Sequence, residues 1–150
     1  EFNYCYPSNS LGSSFSFSDH PNKVFMIEMS ASWWGPCFNA ILEGEAIYEY
    51  WKNDERGDNV EIIHFLADLN QPYSCTQWGN ERTVDIPPIA LITSTDDNSI
   101  RSWFPEDPDS GAIYPTIIFI DHNMRIINIE YGSVNLYDTN KYINCMLDAM

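Results

Sequence analysis

The sequence predicts a single α/β domain, a central mixed β-sheet flanked by helices, and three stretches carry that prediction. Val24-Phe25-Met26-Ile27-Glu28-Met29 is apolar enough for a strand buried on both faces. A helix follows from Pro36 to about Asn53, because Cys37, Ile41, Gly44, Tyr48 and Trp51 recur at spacings of four and three and so share one face. Residues 60–67 (Val-Glu-Ile-Ile-His-Phe-Leu-Ala) read as the next strand, which closes a right-handed βαβ unit. With 150 residues and a hydrophobic fraction of 44%, the chain can bury one core and needs no second domain.

The remaining elements follow in order. Residues 1–10 carry turn formers and no sustained period, which predicts an irregular arm tied down at Cys5 ahead of a domain spanning 11–150. Residues 13–19 alternate with period two and predict an extra N-terminal strand, after which Pro21-Asn22 turns the chain. Residues 53–59 are a polar turn, and residues 68–79 form a connection longer than a usual βα loop. Residues 86–93 open on Pro87-Pro88 and predict a short edge strand, and residues 94–110 are acidic and turn-rich apart from Trp103-Phe104. Tyr114-Pro115-Thr116-Ile117-Ile118-Phe119-Ile120-Asp121 places a proline at the start of a β-branched strand, followed by a His122-Asn123 turn and a second strand over 124–131. A closing helix, capped by Asp138, carries Tyr142, Ile143, Met146, Leu147 and Met150 at helical spacing.

Between the first strand and the first helix stands Ala31-Ser32-Trp33-Trp34-Gly35-Pro36-Cys37. A C-x-x-C site needs its first cysteine at a helix N-terminus, where unpaired N–H groups and the macrodipole favour the attacking thiolate. The second cysteine, three residues on, resolves the mixed disulfide. Here Pro36 suits the first helical turn and Cys37 keeps the resolving position, but Trp34 occupies the position of the nucleophile and can form no covalent intermediate.

The loop, the strand that feeds it and the Tyr114-Pro115 strand opening, about 80 residues downstream, together resemble the thioredoxin superfamily in its exported TlpA-like or AhpC/TSA-like branch. The resemblance implies a thioredoxin-like three-layer sandwich over residues 11–150, with the period-two N-terminal strand as the branch's addition. It implies that Pro115 is the cis-proline lying against the active-site loop and offering backbone pairing to an extended peptide. Glu28 corresponds to the buried acid that accepts the proton of the resolving thiol, and Cys37 to that thiol. Trp34 departs from the family pattern, which bears on the dithiol reaction and not on the fold.

Four cysteines allow three complete pairings. Cys37 and Cys75 both fall at the C-terminal end of the sheet, where open α/β sheets place their sites, so they can pair, leaving Cys5 with Cys145. The other reading makes Cys37 a buried thiol, with Cys75 joined elsewhere or reduced. Trp33, Trp34, Tyr73, Trp78 and Tyr114 are candidates for an aromatic surface beside Pro115 that takes a peptide, against the simpler reading that most of them pack in the core. Adjacent Trp33 and Trp34 in a turn are hard to bury together, which places at least one at a surface.

Seven basic residues against 22 acidic ones, a formal charge of -15, exclude a nucleic-acid or anionic-lipid binder and otherwise favour solubility. No apolar run reaches the roughly 18 to 20 residues needed to span a bilayer. Cysteine usage and only three lysines fit an exported chain, secreted or periplasmic, whose signal peptide has been removed. His20, His64 and His122 lack neighbours at zinc-ligand spacing, and the acidic clusters lack the ligand pattern of a calcium loop, so neither a metal nor a cofactor is expected. Two functions follow: a peptide- or protein-binding or redox-accessory domain whose nucleophile is replaced by Trp34, or an atypical thiol-disulfide oxidoreductase using Cys75 and Cys37 with Glu28.

Overall fold

The computed structural model describes residues 2–6, 14–67, 73–80, 89–91, 104, 106–109, 111–132 and 135–150. Strand β3 (Val24–Ser30) lies in the interior of the sheet and is buried at every residue, as its continuous apolar run requires. On one side it pairs in parallel with β4 (Val60–Leu66), and on the other antiparallel with β8 (Thr116–Ile120), which continues into β9 (Ile126–Tyr131). Helix α1 (Gly35–Lys52) joins β3 to β4. Helix α2 (Cys75–Asn80) follows β4, and α3 (Leu136–Leu147) closes the chain.

Beyond β4 lie β5 (Ile89–Leu91), β1 (Phe2–Tyr6) and β2 (Ser14–Phe15), giving the order β2-β1-β5-β4-β3-β8-β9 among the described residues. A separate two-stranded ribbon joins β6 (Glu106–Asp107) to β7 (Gly111–Ala112).

The alternation along each strand divides the core. Phe25, Ile27 and Met29 pack with Ile63, Phe65, Ile118 and Ile120, a cluster to which Phe15 and Phe104 belong and on which Phe2, Tyr4 and Phe17 rest. Val24 and Met26 face the other way, towards Ile47 and Trp51 of α1 and Ile143 and Met146 of α3. Trp51 also donates from Nε1 to Asn140 Oδ1 at 2.8 Å, which ties the two helices together.

Several expectations change. Residues 2–6 are a strand, not part of an irregular arm: Phe2 and Tyr4 cover the core while Cys5, on the opposite side, is buried and covalently held. Among the described residues the period-two segment contributes Ser14–Phe15 to the sheet, and Phe17–Asp19 closes into a 3-10 turn whose Phe17 ring packs edge-on against Phe25 at 5.0 Å. Strand β5 lies between β1 and β4 and is therefore interior, since β1 covers the edge it would otherwise present. The cap of α3 is Asn135, whose Oδ1 accepts from Asp138 N at 2.9 Å, so Asp138 sits inside the first turn. Residues 68–72, 86–88 and 92–103, on which parts of the predicted loop and edge strand fall, lie outside the described residues.

Candidate functional site

The loop between β3 and α1 is held by two short backbone bonds. Trp34 N donates to Ala31 O at 3.1 Å, and Cys37 N donates to Trp34 O at 3.0 Å. Trp34 is thus the residue that caps α1, in extended backbone, with Pro36 in the first turn. The indoles project outward, Trp33 being 57% and Trp34 44% exposed, with ring centroids 5.7 Å apart. The Trp33 ring meets Tyr114 edge-on at 6.2 Å. Tyr114 precedes Pro115 through a cis peptide bond, and Pro115 O accepts from Gly132 N at 2.9 Å. Trp33, Trp34, Tyr114 and Pro115 therefore lie at one place on the molecule.

Tyr73 and Trp78 belong to the cluster of Cys37, Ile41 and Leu66, on which Tyr114 also packs. Trp78 is fully buried, and both rings pack on Phe38, Trp78 at 4.4 Å and Tyr73 at 5.3 Å between centroids. For Trp78, core packing is the role the structure assigns.

Cys37, in the first turn of α1, is completely buried and not disulfide-bonded. Its Sγ accepts from Ala31 N at 3.5 Å, and both this N–H and the helix terminus favour negative charge on the sulfur. The expected Cys37–Cys75 bond is not formed: Cys75 is joined to Cys5 with a Cα–Cα separation of 6.0 Å, within the usual range for a disulfide. The reason is the strand at 2–6, which carries Cys5 alongside the start of α2. Gly79 permits the approach, since a Cβ there would overlap the Tyr6 ring. Cys145, proposed as a partner for Cys5, is exposed and not disulfide-bonded.

Glu28 lies beneath α1, 4% exposed, and accepts from Ser30 Oγ at 2.9 Å. Its register partner on β4 is His64, whose Nδ1 stands 3.8 Å from Glu28 Oε1. Burial pushes the His64 imidazole down towards its neutral form, with the Glu28 charge pulling the other way. His64 Nε2 has no hydrogen-bond partner among the described residues, and the 3.8 Å from Nδ1 to Glu28 Oε1 is too long for a hydrogen bond. Burial and then Glu28 raise the Glu43 carboxyl above the ordinary range. Helix α1 comes this close because residue 44 is glycine, whose added Cβ would stand 3.3 Å from Glu28 Oε2. His64 was visible in the sequence as a polar residue in an apolar strand, but its neighbour was not.

Among the described residues there is no group of three or more His, Cys, Asp or Glu side chains placed to hold a metal ion. No described helix is long and apolar enough to cross a membrane.

The arrangement is the thioredoxin fold. The chain is similar in structure to the exposed lipoprotein thioredoxin of Streptococcus pneumoniae, with a TM-score of 0.68 and 16% identity over 89% of this chain and 92% of that one. A thiol:disulfide interchange protein of the thioredoxin family from Chlorobium tepidum superposes with a TM-score of 0.71 and 15% identity, covering 91% and 88% of the two chains. A secreted thiol-disulfide isomerase of Corynebacterium glutamicum gives 0.66 and 18%, covering 92% and 78%. No protein-family model matches the sequence, and no curated protein matches it.

Proposed function

We propose that this chain is an extracytoplasmic thioredoxin-like domain in which the aromatic surface around Trp34 binds an extended segment of a partner protein, in place of the dithiol reaction. The observation that supports this best is the exposure of Trp33 and Trp34 together, beside Tyr114 and Pro115. Large aromatic side chains left at a surface are the residues that anchor protein interfaces, since they bury much area at little entropic cost. The position where a redox enzyme needs a thiolate is filled by one of these anchors. The buried Cys37 is screened from any partner disulfide. Secretion of some structural relatives agrees with an extracytoplasmic site of action.

The test is a binding screen of extended peptides on the immobilised protein, followed by the Trp33→Ala/Trp34→Ala pair on the best binder. The double variant is expected to lose about tenfold or more in affinity. Unchanged affinity would remove the surface from the function. Wild-type reduction of insulin disulfides within about tenfold of a C-x-x-C thioredoxin would remove the premise that Trp34 has replaced the chemistry.

A further inference from the structure

The thiol of Cys37 and the Cys5–Cys75 disulfide share one buried cluster with Ile41, Leu66 and Trp78. We infer that these three cysteines form an internal exchange site, in which Cys37 displaces Cys5 from Cys75 and so moves the disulfide from the N-terminal strand to the first turn of α1. The inference goes beyond the peptide-binding reading and does not depend on it.

The choice of Cys75 as the sulfur attacked follows from packing. Phe38, the residue after Cys37, rests on Tyr73 and Trp78, the rings that bracket Cys75 in sequence, at 5.3 and 4.4 Å. The segment bearing Cys75 is therefore seated on the turn bearing Cys37. Two features favour the thiolate against the cost of its burial: its place in the first turn of an 18-residue helix and the Ala31 N–H directed at Sγ at 3.5 Å.

In the step itself the Cys37 thiolate attacks Cys75 Sγ. The Cys37–Cys75 bond forms as the Cys5–Cys75 bond breaks, and the electron pair departs on Cys5. The proton lost by Cys37 ends on the Cys5 sulfur, so one thiol and one disulfide remain, and no external oxidant or reductant enters. The consequence is structural: β1 is released from its covalent link to α2 and is then held by its pairing to β2 and β5 and by the packing of Phe2 and Tyr4 on the core.

The experiment uses folded protein carrying Cys145→Ser, so that the exposed thiol cannot contribute. N-ethylmaleimide is applied at pH 8 without reductant, the reaction is quenched in acid, and linked peptides are mapped without reduction. Maleimide on Cys5 together with a Cys37–Cys75 cross-linked peptide is expected, and adding Cys37→Ala should cut Cys5 labelling by about tenfold or more. Labelling of Cys37 with Cys5–Cys75 intact, no labelling of Cys5, or Cys5 labelling unchanged by Cys37→Ala would each overturn the inference. A second variant, Cys5→Ser, keeps the question open to refutation should Cys37→Ala not fold. In a glutathione redox buffer, Cys5→Ser should form the Cys37–Cys75 bond, and recovery of both cysteines as separate thiols or glutathione adducts in folded protein would count against the site.

Discussion

His64 Nδ1 stands 3.8 Å from Glu28 Oε1 on adjacent strands at the centre of the sheet, and both side chains are about 5% exposed. A carboxyl group and an imidazole thus share a site that neither bulk water nor a close hydrogen bond between them relieves.

Burial lowers the His64 pKa in the folded state below its ordinary value near 6.5. The unfolded chain then takes up the proton first. The stability tied to neutral His64 is fully present above about pH 6.5 and is lost as pH falls through that value towards the lower folded pKa. Urea midpoints between pH 7.5 and 5.5 should decline for the wild type and decline less steeply for His64→Gln. Equal slopes would show that His64 does not govern this window.

Gly44→Val should destabilise the fold by about 2 kcal/mol or more, because its branched side chain must enter the space above a buried carboxylate that Ser30 holds in place. Gly44→Ala should be close to neutral. Its gain in helix propensity of about 1 kcal/mol opposes the 3.3 Å approach of the new Cβ to Glu28 Oε2. Denaturant unfolding of the two variants checks the order, and a Val variant as stable as Ala would contradict the packing.

The Cys5–Cys75 bond closes a separation of 70 residues. Cys5→Ala should therefore lower stability by about 2 to 4 kcal/mol, and reductant should lower the melting temperature of the wild type but not of that variant. Equal sensitivity to reductant in both proteins would refute the assignment of the bond.

Trp34→Cys restores a C-x-x-C spacing on the helix that already carries Cys37. Oxidised Trp34→Cys is expected to contain a 34–37 disulfide by peptide mapping and to gain insulin reduction about tenfold or more over wild type in the presence of dithiothreitol. An oxidised variant with no such bond would mean that the loop no longer holds the two positions at bonding distance.

The elements that hold the site were legible because their signals are local. The continuous apolar runs of β3, β4 and β8, the four-and-three spacing of α1 and the strand-opening Pro115 each lie within a single element, and the Trp34 substitution is visible as one letter. The strand at 2–6 was not legible, because Asn3 and the polar residues after Tyr6 dilute its alternation, and its stability comes from a disulfide and from Phe2 and Tyr4 covering a core formed elsewhere.

The sequence by itself determined the βαβ unit, the loop at the sheet's C-terminal end, the exposure of tryptophan there and the burial of Cys37 and Glu28. Only the tertiary structure decided that Cys75 bonds Cys5, that β5 is interior and that His64 lies beside Glu28. Periodicity reports which face of an element is buried, but not which distant residue will meet it. The partners open to Cys75 are equivalent in the sequence, and its bond to Cys5 rests on strand order and register, which emerge when the whole sheet assembles.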